Sequence, residues 1–159
     1  MKRRTMYMVW VFGAVLWLGL APGTARAAEF QSLTYDGLTE LLAANKGKIV
    51  MVNFFASWCP PCKAEIPTLI KLRKELGNKM FLIGLSLDED MAALQKFIRD
   101  MKIDYPVKLS AMDLSAAAGV SAIPHMLIFD GKGEVVGNAS GLIPEDDLRA
   151  FLKQHMETK

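Results

Sequence analysis

The sequence predicts a single α/β domain built on a central mixed β-sheet with helices on both faces. Three observations carry this expectation. Ile49 to Phe55 (IVMVNFF) is an almost unbroken apolar run rich in β-formers, as a central strand covered on both faces requires. Segments with apolar residues at helical spacing alternate with such runs along the chain. Toward the C-terminus, Gly131, Lys132 and Gly133 separate two strand-like segments by a turn of hairpin length, adding an antiparallel pair to a βαβ beginning.

The elements follow in order. Tyr35 to Asn45 places Leu38, Leu41 and Leu42 on one helical face, with Thr34 as its N-cap. After the strand Ile49 to Phe55, a second helix opens at Cys59 or Pro60 and runs to Leu76. Gly77 stops it, and a kink is expected at Pro67. Met80 to Leu87 reads as another buried strand. The acids Asp88, Glu89 and Asp90 then suit the positive end of a helix Met91 to Met101, whose apolar face holds Leu94, Phe97, Ile98 and Met101. A short strand Val107 to Leu109 and a short helix Leu114 to Ala118 come next. His125 to Asp130 and Glu134 to Ala139 are the hairpin strands. Pro144 starts a closing helix lined by Leu148, Phe151 and Leu152.

Composition narrows the function classes. With 52% apolar and 23% charged residues, the chain has the makings of a packed core, which excludes a disordered protein. The formal charge of +2 is misleading, because Lys2, Arg3, Arg4 and Arg26 all lie within the first 27 positions and the remainder carries a small net negative charge. Such a domain lacks the basic field that tracks phosphates, so no nucleic-acid partner is expected. Lys2, Arg3 and Arg4 precede an uncharged apolar run from Met6 to Leu20, broken by Pro22 and Gly23. Ala25, Arg26 and Ala27 then offer small residues at the positions a signal peptidase reads. Residues 1–27 are therefore read as an export signal, and 28–159 as the domain. Left uncleaved, the same segment would tether the domain to the membrane. Both versions place it in the periplasm or another extracytoplasmic space.

The chemistry is concentrated in Trp58, Cys59, Pro60, Pro61 and Cys62, directly after the central strand and at the start of a helix. A thiol at a helix N-terminus meets unpaired N–H groups and the positive dipole end, and both favour thiolate. Cys59 is thus the expected nucleophile. Cys62, one turn later, is placed to attack a mixed disulfide on Cys59 and release the partner. Pro60 suits the first turn, where no N–H is needed, while Pro61 removes one donor. Other readings compete. A structural disulfide here would close a very short loop and gain little entropy. Zinc would need two further ligands, and His125 and His155 are not spaced as a zinc pair. Cu(I) needs only two thiolates and remains an alternative. The dithiol chemistry itself calls for no cofactor and no resident metal.

The segment V-N-F-F-A-S-W-C-P-P-C-K-A-E-I-P, Val52 to Pro67, resembles the active-site segment of the thioredoxin superfamily. The likeness is greatest to its exported branch, the TlpA-like and ResA-like thiol-disulfide oxidoreductases, and extends from about Leu33 to the C-terminus. Gly119, Val120, Ile123 and Pro124 resemble the family's G-V-x-x-I-P segment. The resemblance implies a thioredoxin fold, a cis bond at Pro124 beside the cysteines, and an extended partner segment held near Trp58, Pro60, Pro61, Ile123 and Pro124. It also implies protein-disulfide substrates and a membrane-bound electron donor. Nothing in the chain requires more than a monomer.

Asn53 stands where cytoplasmic thioredoxins carry a buried acid. Glu65 matches a carboxylate of the exported branch, which implies a proton carrier for Cys62; a solvated Glu65 paired with Lys63 is the alternative. His125 and Met126 depart from the branch, and a packed or solvent-facing His125 is expected. Phe55 and Trp58 are read as an apolar apron around Cys59, and Met51, Met80 and Met101 as core filling. The branch implies a reductant; a disulfide oxidase or isomerase and a Cu(I) metallochaperone are the alternatives.

Overall fold

The computed structural model describes residues 30–157, so the expected export signal at 1–27 lies outside the described residues. The element order is β1 (Ser32–Leu33), α1 (Tyr35–Ala44), β2 (Ile49–Phe55), α2 (Pro60–Leu76), β3 (Met80–Ser86), α3 (Met91–Asp100), β4 (Val107–Ser110), α4 (Met112–Ala117), β5 (His125–Phe129), β6 (Val135–Ser140) and α5 (Glu145–Glu157). The strands form one sheet in the order β1-β4-β3-β2-β5-β6. The first four run parallel, while β5 is antiparallel to β2 and β6 to β5. This is the mixed sheet the sequence predicted.

The strand period of two explains why β2 is apolar throughout. Val50, Val52 and Phe54 pack with Leu38 of α1 and Leu114 of α4 on one face. Ile49 and Met51 meet Leu69 and Leu72 of α2 and Leu148 and Leu152 of α5 on the other. Phe55 joins Ile66 of α2 and Leu94 and Phe97 of α3. Each such side chain, taken fully from water, contributes about 1.5–3 kcal/mol.

Thr34 caps α1 by accepting the Gly37 N–H at 3.1 Å, and Asp90 caps α3 through the Ala92 and Ala93 N–H groups. Gly77 ends α2 at φ +51°, a conformation glycine adopts without strain, and α2 continues through Pro67 as one helix. Several elements end one residue earlier than the sequence predicts, and other details differ with a physical reason. β1 is too short to show a period and forms only because Ser32 and Leu33 pair with β4. α4 begins at Met112, whose exposure hides the first turn from any apolar pattern. β4 extends one residue further, to Ser110. β6 lies one residue later, an exposed edge strand set off by an irregular register at Ile128 and Phe129.

Parallel β2 and β3 end side by side, so the loops that follow them, 56–59 and 87–90, share one end of the sheet. That is where open α/β sheets place their sites.

Candidate active site

β2 ends at Phe55, and the chain turns through Ala56, Ser57 and Trp58 into α2 with Cys59 at the N-cap. Pro60 and Pro61 fill the first two helical positions and have no N–H. The donor that reaches Cys59 Sγ is therefore the Cys62 N–H, at 3.2 Å. The sulfurs of Cys59 and Cys62 are joined in a disulfide. Both are buried, at 4% and 1% exposure, whereas Pro60 and Pro61 are exposed and Trp58 is 68% exposed.

The turn before Cys59 is held from β3. Asp88 is buried and its carboxylate accepts the Ser57 N–H at 2.9 Å, the Ser57 Oγ–H at 2.5 Å and the Ser86 Oγ–H at 2.7 Å. Asp88 was expected only as a helix-terminal acid; Asp90 takes that role. The available signal was position, since Asp88 stands just past the end of a parallel strand beside β2.

From the other side, the Ile123 carbonyl oxygen lies 3.7 Å from Cys59 Sγ, and the Ile123–Pro124 bond is cis. Gly119, at φ +70°, turns the chain out of α4 toward this segment. The Pro124 carbonyl accepts the Gly141 N–H at 2.7 Å, which brings exposed Leu142 to the same end of the sheet. Phe55 does not belong to the surface: it is wholly buried and stacks on Phe97 with ring centroids 5.9 Å apart. Phe55 is thus no part of the expected apron, and of the two only Trp58 is exposed. Phe55 is the last residue of β2 and points with Met51 into the core.

Glu65 lies one helical turn beyond Cys62, facing the sheet at 1% exposure. Its Oε2 accepts the Asn53 Nδ2–H at 2.7 Å. Burial drives this carboxyl up to about 7, and the Asn53 hydrogen bond opposes part of the rise. The solvated alternative for Glu65 is therefore not the one found. Tyr105, on the segment entering β4, is buried too, and its phenol is pushed up by burial and by the Glu65 charge.

His125 is packed. Its Nδ1 is 2.8 Å from Ser140 Oγ and its ring meets Phe54 edge-on at 5.6 Å. Burial lowers its pKa below the ordinary value, the Ala118 carbonyl opposing.

The structure thus brings Trp58, Cys59, Pro60, Pro61, Cys62, Ile123 and Pro124 to one end of the sheet, with Glu65 beneath them. A helix-capping dithiol beside a cis-proline turn can exchange electrons with an external disulfide.

Comparison with known proteins agrees. A family model described as thioredoxin-like matches residues 47–135. The thioredoxin-like protein YneN of Bacillus subtilis is 29% identical over 137 residues, covering 84% of this chain and 76% of the relative. The thiol-disulfide oxidoreductase ResA of Bacillus anthracis is 30% identical over 130 residues, covering 80% and 75%. A crystal structure of a thiol:disulfide interchange protein of Chlorobium tepidum superposes with TM-score 0.66 at 30% identity, over 72% of this chain and 83% of that one. The chain belongs to the thioredoxin-like family. Within it, this is a thiol-disulfide oxidoreductase of the ResA type, and its redox-capable pair is Cys59 and Cys62.

Proposed function

We propose that the protein is an exported reductant of protein disulfides, with Cys59 attacking and Cys62 resolving. The observation that carries the direction is the pair of prolines at the first two positions of α2. Pro60 stands where no N–H is needed, and Pro61 removes the neighbouring donor, leaving the Cys62 N–H as the one that reaches Cys59 Sγ. A less stabilised thiolate means a less stabilised reduced form, hence a lower potential.

In the reaction, the Cys59 thiolate attacks one sulfur of the substrate disulfide. A Cys59–substrate disulfide forms and the other substrate sulfur leaves as thiolate. The Cys62 thiol then loses its proton to Glu65 and attacks Cys59 Sγ. The second substrate sulfur leaves as thiolate, the substrate ends as a dithiol and the protein as the Cys59–Cys62 disulfide. Each substrate thiolate takes up a proton, from Glu65 or from water, and an external electron donor on the membrane restores the dithiol. Glu65 suits this proton step because a carboxyl with a pKa of about 7 both accepts and returns a proton near neutrality.

Substrate contact is assigned to Trp58, Pro60 and Pro61 on one side of the disulfide and to Ile123 and Pro124 on the other. The basic and apolar segment before Ala28 supports export.

The test is trapping. In Cys62→Ser the mixed disulfide cannot be resolved, so a disulfide-bearing protein substrate should accumulate covalently on Cys59. Cys59→Ser should trap none. Trapping by Cys59→Ser alone would reverse the assignment, and trapping by neither would remove it.

A further inference from the structure

Asn53 is the one polar residue in the run Ile49 to Phe55, and it is completely buried. A carboxamide in such a place must find partners or cost about 1–3 kcal/mol for each polar group left without one. Its Nδ2 has a partner in Glu65 Oε2 at 2.7 Å, but among the described residues its Oδ1 has none, and neither has Glu65 Oε1. The two side chains thus meet through one atom of each, with a second, opposite polar atom on each side unpaired.

The surroundings keep this pair closed. Asn53 is in register with Gly84 of β3. A Cβ on Gly84 would lie 2.9 Å from the Phe55 ring and 3.2 Å from the Tyr105 ring, so the missing side chain leaves room for both rings beside this position. Among the described residues, Tyr105 from the segment entering β4 feels the Glu65 charge, and Cys62 lies buried one turn earlier on the same helix. Asp104, next to Tyr105, is engaged with Arg73 and Lys74. α3 contributes apolar Leu94 and Phe97.

We propose that Asn53 is a positioning residue for proton transfer: its Nδ2–H holds the ionised Glu65 carboxylate, and the amide, turned over, offers Oδ1 to the O–H of the protonated acid. Both charge states of Glu65 then keep a partner without any other group moving. The proton passes from Cys62 Sγ to a Glu65 oxygen, breaking S–H and forming O–H, while Asn53 gains and loses nothing. An acid at position 53 could serve only one of the two states, because it would face the ionised Glu65 as a like charge. This inference rests on Glu65 as the proton acceptor proposed above.

The test follows the Glu65 carboxyl carbon and the Asn53 side-chain amide by NMR through a pH titration of the reduced protein, alongside the pH profile of mixed-disulfide resolution. In the wild type the Asn53 amide should titrate with the Glu65 midpoint. The bond to the carboxylate is the stronger of the two, so Asn53→Ala should move the Glu65 midpoint and the resolution profile upward together by about one pH unit, a tenfold change in ionised fraction near neutrality. Asn53→Asp, nearly the same shape, should move the upper midpoint further and carries the test if Asn53→Ala does not fold. Glu65→Gln separates the two ideas. If it leaves the resolution profile unchanged, Glu65 is not the acceptor. If it abolishes the pH dependence while the Asn53 variants leave midpoint and profile in place, the Asn53 proposal alone is overturned.

Discussion

Replacing Glu65 by Gln should stabilise the protein at alkaline pH, the opposite of what removal of a buried charged partner usually does. The Glu65 carboxyl is raised from 4.5 to about 7 by burial. Below 4.5 the folded and unfolded chains both hold the proton, so the group leaves stability untouched. Between 4.5 and about 7 the folded chain binds the proton and the unfolded chain does not, so stability falls as pH rises. Above about 7 the whole loss is present. At 1.36 kcal/mol per pH unit, the interval corresponds to about 3 kcal/mol. Glutamine is neutral throughout, and its Oε1 can still accept the Asn53 N–H. Urea denaturation of the oxidised wild type and of Glu65→Gln from pH 4 to 8 checks this, since the cysteines do not titrate in the disulfide and His125 cancels in the difference. With a urea slope of about 2 kcal/mol/M, the midpoints should coincide near pH 4 and separate by about 1.5 M at pH 8, the variant being the more stable. Parallel pH profiles, or a less stable variant at pH 8, would refute the buried-carboxylate reasoning.

Pro61→Ala restores an N–H at the second position of α2; one added bond to the Cys59 thiolate, about 1.4 kcal/mol, should raise the potential by about 30 mV, measured by equilibration with dithiothreitol. Trp58→Ala removes an exposed ring, so unfolding free energy should change by less than about 0.5 kcal/mol while reduction of a protein disulfide slows several-fold and reduction of a small-molecule disulfide does not. Asp88→Ala leaves the Ser57 N–H and the Ser57 and Ser86 hydroxyls without their acceptor. It should cost about 3 kcal/mol in chemical denaturation.

The central strand, the helix opening at the cysteines and the final hairpin were legible because each carries a strong local pattern: an unbroken apolar run, prolines at a helix start, and glycines in a tight turn. β1 was not, since two residues have no period and their place is decided by β4. The dithiol was legible from Cys59 to Cys62 because the chemistry needs only the helix end they share. The supporting residues depend on distant parts of the chain. Asp88 is tied to Ser57 across 31 positions, and the Ile123 carbonyl meets Cys59 across 64. Phe55 was misplaced because adjacency to Trp58 in sequence says nothing of which side of the strand end each occupies. For Asn53 the signal was present: a single carboxamide inside a buried strand implies a buried partner, and Glu65 supplies it.

The reduction potential of the Cys59 and Cys62 pair bears most directly on a reductive role. Equilibrating residues 28–159 against defined mixtures of oxidised and reduced dithiothreitol, with the two forms separated after quenching, should give a value near or below about −250 mV, close to thioredoxin's. A value near −120 mV, like that of a strong oxidant, would contradict the reductive reading and make the protein a disulfide donor.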